Sequence, residues 1–237
     1  MHAAYLRVNQ FHNYGRQSCY SGVETLIYES EEMEMNDYRE FLDREDCALL
    51  LVDIQKTLLD YCIGPERTVS NAGALIEAAE LFGIPVFFSV HNPDKLGGFV
   101  AELTSKISQP RILGKLEFDC FQNEGIARAI AETGRKTLLL AGLEGHVCIF
   151  QTGVGALRLG YRVHVAQDAV TSRNGSDKQT GIHRLDRAGA VISSTEMIIF
   201  ELLKRAGTKE FRALLPLLKR LHPNRPQQGW VKRQAGP

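Results

Sequence analysis

The sequence predicts an α/β protein built on a mostly parallel sheet with helices on both faces. Three observations carry this. Short apolar runs of strand length, 47–53, 84–90 and 137–141, alternate with segments of helical spacing. Those runs are apolar at consecutive rather than alternate positions, the pattern of strands buried on both faces. Glycines at 83, 142 and 160 punctuate the alternation. Strand, helix, strand in repetition implies right-handed crossovers and parallel pairing. A chain of 237 residues is long enough to bury that core as one domain.

The elements follow in order. Residues 1–44 are polar, lack sustained periodicity and read as an N-terminal extension, with Asn36 or Asp37 capping a short helix through Leu42. Cys47-Ala-Leu-Leu-Leu-Val-Asp53 is a central buried strand ending in a carboxylate. Helix is expected from Pro65 to Phe82, with Val69, Ala72, Leu75, Ile76, Ala79 and Leu81 facing inward and Gly83 closing it. Residues 84–90 form the second strand. Residues 91–109 are loop with one short helical piece, and 111–113 are a brief third strand with Lys115 just past its end. Helix 122–132 precedes strand 137–141. A turn leads into helix from about Cys148, with Ile149, Val154, Leu157 and Leu159 as its apolar face. Strand 161–166, helix 175–188 and strand 190–193 come next. Ser194 or Thr195 caps a helix to about Arg205, and Thr208 caps another to about Leu221. Residues 45–221 thus make the domain, and 222–237, rich in Pro, Gly and basic residues, a tail.

Composition narrows the function. Lys plus Arg and Asp plus Glu both number 28, so no global field points to nucleic acid or a membrane surface. The balance is uneven: 1–46 hold ten acidic and four basic side chains, 207–237 one acidic and seven basic. Solvated ends account for this, as does one subunit's acidic end meeting another's basic end. No apolar run reaches membrane-spanning length, and the start lacks the apolar core of a signal peptide. Five cysteines at irregular spacing without a CxxC pair suggest neither a disulfide framework nor a zinc site. The expectation is a reduced, cytoplasmic protein.

Three strand ends carry chemistry: Asp53, Lys115 and Cys148. In a parallel sheet the carboxyl ends share one edge, where open α/β sheets bind ligands. Cys148 at a helix start meets the positive end of the dipole, which favours thiolate over thiol and makes it a candidate nucleophile. Asp53 fits the base and Lys115 the cation that holds thiolate and carboxylate in place. Each has a plain structural reading when taken alone: a buried cysteine, a turn-forming aspartate, a surface lysine.

LLLVDIQ (50–56), GKLEFDCF (114–121), AGLEGHVCIFQTGVGALRLGYRVHVAQDAVTSR (141–173) and STEMIIFELL (194–203) resemble the isochorismatase-like cysteine hydrolases, and within them the isochorismatase domain-containing proteins. The resemblance spans about 45–218. It implies a Rossmann-like three-layer sandwich with a six-stranded sheet in the order 3-2-1-4-5-6, and an Asp–Lys–Cys triad at Asp53, Lys115 and Cys148. It also implies a cis peptide at Leu143–Glu144, aiming the N–H groups of Glu144 and Cys148 into one oxyanion hole. Homo-oligomers are common among such relatives, and the helices near 195–218 could supply an interface.

Departures refine these expectations. The metal-holding Asp-x-His…His cluster of nicotinamidases is absent after the second strand, where only His91 stands, so neither metal nor other cofactor is expected. His91 itself reads as a strand-end histidine bonded to backbone. Isochorismatases proper lack the cysteine, so Cys148 favours thiol chemistry on an amide-like carbonyl. Asp119, where relatives often carry Ser, would add a charge at the pocket rim. Gln55, Phe118 and Phe121 are candidate pocket residues; helix-start packing for Gln55 and core packing for the phenylalanines are the alternatives. Cys120 is the rival nucleophile but lacks a following helix. His146 is expected to be structural or at an interface, Thr152 to bond backbone, and Asp168 and Ser172 to brace the next loop. The GVG at 153–155 is no phosphate loop, since GxxxxGK[ST] is missing. The function expected is a cofactor-independent hydrolase of a small amide-like substrate. The alternatives are isochorismatase-type hydrolysis of other chemistry and a non-catalytic scaffold.

Overall fold

A computed structural model describes residues 41–221. Its centre is β1 (Cys47–Val52), buried at every position because it is paired on both edges, to β2 (Val86–His91) and to β4 (Thr137–Leu143). β3 (Arg111–Lys115) adds beyond β2; β5 (Arg162–Thr171) and β6 (Val191–Ser193) add beyond β4. All pairs are parallel and the order is β3-β2-β1-β4-β5-β6. The fold expected from the sequence is thus observed. Side chains of β1 alternate between two cores. Leu49 and Leu51 meet α2 (Pro65–Phe82), α8 (Thr195–Leu203) and α9 (Lys209–Leu221). Ala48, Leu50 and Val52 meet α5 (Glu124–Ala131), α6 (Cys148–Arg158) and α7 (Gly175–Arg187). Three short helices, α1 (Lys56–Leu59), α3 (Pro93–Leu96) and α4 (Ala101–Thr104), lie after β1 and β2.

Local chemistry sets the helix ends. Asn123 accepts from Ile126 N at 3.2 Å to cap α5, Ser194 from Met197 N at 3.3 Å to cap α8, and Thr208 Oγ1 from Phe211 N at 3.0 Å ahead of α9. α2 begins at Pro65, where a missing N–H costs nothing, and ends at Gly83 in the left-handed region with φ 68°.

Several boundaries and faces differ from expectation. Two short helices, not one, occupy 91–109, and α1 follows Asp53. β5 runs on to Thr171 because a register shift between Leu140 and Gly142 lets its second half pair again with β4. Leu81 is exposed and Phe82 takes the inward position in α2. Leu159 is exposed too, since α6 buries small residues instead. A Cβ on Gly153 would come within 2.5 Å of Leu185 Cδ2, and one on Gly155 within 2.3 Å of Asp119 Oδ2. The GVG run is therefore a close-packing seam. The expected short helix at 36–42, the extension and the tail lie almost wholly outside the described residues.

Candidate active site

β1 and β4 are adjacent strands whose connections depart in opposite directions, so the carboxyl edge between them is the switch point of the sheet. Asp53 follows β1 immediately. Lys115 is the last residue of β3, level with His91, and Cys148 is the first of α6. All three side chains are buried. Lys115 Nζ donates to Asp53 Oδ2 at 2.6 Å and to Glu117 O at 3.1 Å. Ser89 Oγ, on β2, donates to Asp53 Oδ1 at 2.8 Å. The Cys148 side chain lines the same cavity as Asp53, near enough for the carboxylate to act on its thiol. Asp53 sits at φ 54°, a left-handed conformation that a non-glycine residue holds only where its surroundings fix it; here its N–H is bonded to Ser89 O at 3.0 Å.

The electrostatics reverse one expectation. Burial foremost, then the Asp53 carboxylate, push the Cys148 thiol well above its ordinary range; Lys115 pulls the other way but loses. The resting group is a neutral thiol beside a carboxylate, not a thiolate stored by a helix dipole. Burial draws the Lys115 ammonium down, yet Asp53 and the two nearby thiols more than offset it and hold it above its usual value. Cys120, the rival thiol, is fully buried, pushed up to about 11 chiefly by burial, and turned to Ser89 Oγ at 3.6 Å.

A cavity of about 700 Å3 opens above these groups, walled by Tyr61, His91, Leu96, Phe118, Val147 and Arg173 with Asp53 and Cys148 at its base. Phe118 stacks on His91 with centroids 5.3 Å apart and 22° between planes. At the rim Arg173 Nε meets Glu144 Oε1 at 2.9 Å. Glu144 Oε2 is buried, within ion-pair distance of His146 Nδ1 at 3.4 Å but not hydrogen-bonded to it.

Every described peptide bond is trans, so the expected cis bond at Leu143–Glu144 is corrected. The turn is closed instead by Gly145 N–H, which reaches Thr171 O at 3.0 Å and Ser172 Oγ at 2.9 Å. Val147 and Ile149 N–H return to Glu144 O. Cys148, opening α6, carries an N–H with no acceptor within its own helix.

Of the candidate pocket residues, Phe118 lies on the cavity wall. Phe121 packs into the core and against Tyr161 at 5.2 Å, and is not among the described residues that line the cavity. Gln55 is fully buried and acts as a clamp: His91 N–H donates to its Oε1 at 2.7 Å, while its Nε2 donates to His91 O at 3.0 Å and Gly97 O at 2.7 Å. Asp119 is no rim charge. Its carboxylate accepts from Phe121 N at 2.9 Å to cap the 3-10 turn 120–122, and burial raises its pKa. Thr152 Oγ1 bonds backbone as expected, accepting from Cys120 N at 3.0 Å. Asp168 Oδ1 accepts from Thr195 N and Oγ1 at 2.7 and 2.9 Å, bracing the start of α8. Sequence reasoning missed Ser89, whose signal was a lone hydroxyl in the apolar run VFFSV, and Tyr61 and Arg173, which carried none. Among the described residues no group of three or more His, Cys, Asp or Glu is arranged to hold a metal, and no helix is long and apolar enough to cross a membrane.

Fold and pocket together define a doubly wound α/β protein with a buried carboxylate–ammonium pair and a thiol at its switch point. The chain belongs to the isochorismatase family, whose Isochorismatase domain matches residues 47–197. Relatives include the secreted isochorismatase effector Isc1 of Phytophthora sojae (strain P6497), 30% identical over 73% of this chain and 84% of that protein. Isochorismatase domain-containing protein 2 of Rattus norvegicus is 29% identical over 74% and 82%. Among solved structures, the MAR1 ribonuclease of Caenorhabditis elegans superposes with TM-score 0.71, at 25% identity over 81% of this chain and 97% of that one. YcaC from Pseudomonas aeruginosa, with hexane-2,5-diol and covalent acrylamide, gives 0.72 at 27% over 78% and 93%. The Escherichia coli YcaC gene product, an octameric hydrolase of unknown specificity, gives 0.69 at 27% over 77% and 89%.

Proposed function

We propose that this isochorismatase-family protein is a cofactor-independent cysteine hydrolase of a small amide-like substrate, with Asp53, Lys115 and Cys148 as its triad. The observation that carries the reading is one carboxylate bonded to a buried ammonium at 2.6 Å and sharing the base of a cavity with a thiol. Such a thiol is activated at the moment of reaction, by general base, rather than stored as thiolate. Asp53 takes the proton as sulfur attacks the carbonyl carbon, and Lys115 compensates the charge that stays in the site. The oxyanion rests on the N–H of Cys148, which has no acceptor within its own helix; with Leu143–Glu144 trans, the cis bond expected to aim the Glu144 N–H beside it is absent. One such donor is worth about 10²–10³ in rate. Asp53 returns the proton to the leaving nitrogen, the C–N bond breaks and a thioester remains. Water, deprotonated by the same carboxylate, cleaves the thioester and restores the thiol. Covalent acrylamide in the P. aeruginosa relative is consistent with an electrophile-accepting site of this kind.

A second reading, RNA cleavage, comes from the name of the C. elegans neighbour. The cavity argues against it: much of its wall is apolar and its rim arginine is already held by Glu144, a poor match to a phosphate backbone. A homo-oligomer is part of the proposal, supported by the octameric E. coli relative and by Met197, Phe200 and Leu215 exposed on α8 and α9. So is a cytoplasmic site of action, resting on the unpatterned cysteines, although one relative is secreted. The deciding experiment is a screen of purified protein against small amides, ureides, esters and an RNA oligonucleotide, with Cys148→Ala in parallel. Amide or ureide turnover that vanishes in Cys148→Ala supports the reading; turnover that survives the substitution removes the nucleophile.

A further inference from the structure

His91 is the cavity residue with polar capacity left unspent. Its backbone is held at both ends by the buried Gln55 amide, and its ring is held flat against Phe118. A side chain fixed this firmly has its position set for something. Neither ring nitrogen has a hydrogen-bond partner among the described residues, and Nδ1 is wholly buried. A lone pair is the cheaper group to leave unmatched there, because buried orphan N–H groups are the rarer case in folded proteins. Burial first, then the Lys115 ammonium, draw the ring below the usual histidine range, and Asp53 and Glu117 oppose this less strongly. The imidazole is therefore neutral, with its hydrogen on Nε2, the nitrogen left to face the cavity.

We propose that His91 contacts substrate, donating Nε2–H to an acceptor oxygen on the amide's own carbon chain beyond the reacting carbonyl. The substrate class is then a keto- or acyl-substituted small amide, not a plain alkyl amide. The Phe118 ring and the Tyr61 and Leu96 side chains offer apolar surface for the rest of the chain. A site built to bond an oxygen discriminates strongly against the analogue lacking it, since the donor is left unpaired. This proposal rests on the hydrolase reading for the position of the reacting carbonyl.

The test uses three pairs of amides differing by one keto oxygen: pyruvamide and propionamide, acetoacetamide and butyramide, levulinamide and pentanamide. Each is titrated as a protector of Cys148 against iodoacetamide, followed by peptide mass, and as a ligand by thermal shift. The readout is the ratio of half-effective concentrations within a pair, so a change in thiol reactivity cancels. In the natural protein at least one keto amide is expected to act at about ten-fold lower concentration than its partner, one good hydrogen bond's worth. His91→Phe, which keeps the stacking but lacks the donor, brings that ratio to about one. His91→Gln, which retains an N–H near the Nε2 position, keeps part of it. A ratio unchanged in His91→Phe overturns the assignment, as does a ratio of one for all three pairs in the natural protein. If His91→Phe does not fold, His91→Leu is read the same way. Should Cys148 prove unreactive, the hydrolase reading fails, whereas the thermal-shift ratio still judges His91.

Discussion

Replacing Lys115 by Met removes the cation but keeps the length and most of the volume of the side chain. The Asp53 carboxylate, fully buried, then retains only Ser89 as a hydrogen-bond donor among the described residues. Breaking a buried ion pair from one side typically costs about 3–5 kcal/mol, because the surviving charge is left uncompensated. At a urea slope near ~2 kcal/mol/M this moves the unfolding midpoint down by about 1.5–2.5 M. Asp53→Asn strands the ammonium in turn, more mildly, since the amide oxygen still accepts from Lys115 or Ser89. The double variant Asp53→Asn/Lys115→Met has no orphaned charge, so it should be more stable than the sum of the singles, with a coupling of about 2–3 kcal/mol. All four proteins are compared at one protomer concentration, because association would add to apparent stability. A Lys115→Met cost below about 1 kcal/mol, with additive singles, would show that the pair is not held as two charges. The argument for Asp53 as a base would then lose its footing.

Other consequences follow from the same geometry. Because burial and Asp53 raise the Cys148 pKa, its alkylation should keep accelerating as pH rises past the ordinary thiol value of about 8.5; a plateau at neutral pH would indicate a stored thiolate. His164, buried in β5 with Nδ1 unpartnered, is lowered to about 4, first by burial and then by Arg162. The unfolded histidine binds its proton near 6.5 and the folded one does not. Its stabilising effect is therefore full above pH ~6.5 and is lost as pH falls toward 4, by about 3 kcal/mol in all. His164→Gln should flatten that portion of a urea-midpoint profile, and an unaltered profile would show that another group is responsible. Gly142 stands at φ 131° with a Cβ position 2.1 Å from Val52 O. Gly142→Ala must displace the strand end that carries Asp53, so it should cost at least about 1–3 kcal/mol and slow Cys148 alkylation together. Loss of stability with unchanged alkylation would separate the strand end from the site.

How much of this was legible in the sequence depended on how local the cause was. β1 was legible because an unbroken apolar run of strand length has few other fates, and the starts of α8 and α9 because a polar side chain caps each within three residues; the Asn123 cap that starts α5 two residues later than expected was not read. The three strand-end groups could be placed on one edge because parallel topology puts them there whatever the loops do. Faces decided across the fold were not legible. Leu159 looked like core, yet α6 buries Gly153 and Gly155 because Leu185 and Asp119 lie on them, and nothing near 153 announces that. Gln55 read as a pocket candidate, but its partners lie 36 and 42 residues on. Phe118 and Phe121 are three residues apart, and only the turn between them decides that one walls the cavity and the other fills the core. The thiol's protonation was misjudged for a physical reason. The helix start was visible in the sequence, but the depth of burial and the closeness of the Asp53 charge were not, and they are the larger effects.

The account is tested most directly by a brief treatment of the folded protein with a limiting amount of acrylamide, followed by peptide mapping of every cysteine. Accessibility alone favours Cys62, 9% exposed, over Cys148 at 6%, with Cys47 and Cys120 fully buried. The prediction is that, among these four, Cys148 carries the adduct first and nearly alone, and that Asp53→Asn slows it by an order of magnitude or more. Labelling that follows exposure, with Cys148 no faster than Cys62 and indifferent to Asp53, would contradict the proposed nucleophile and the chemistry built on it.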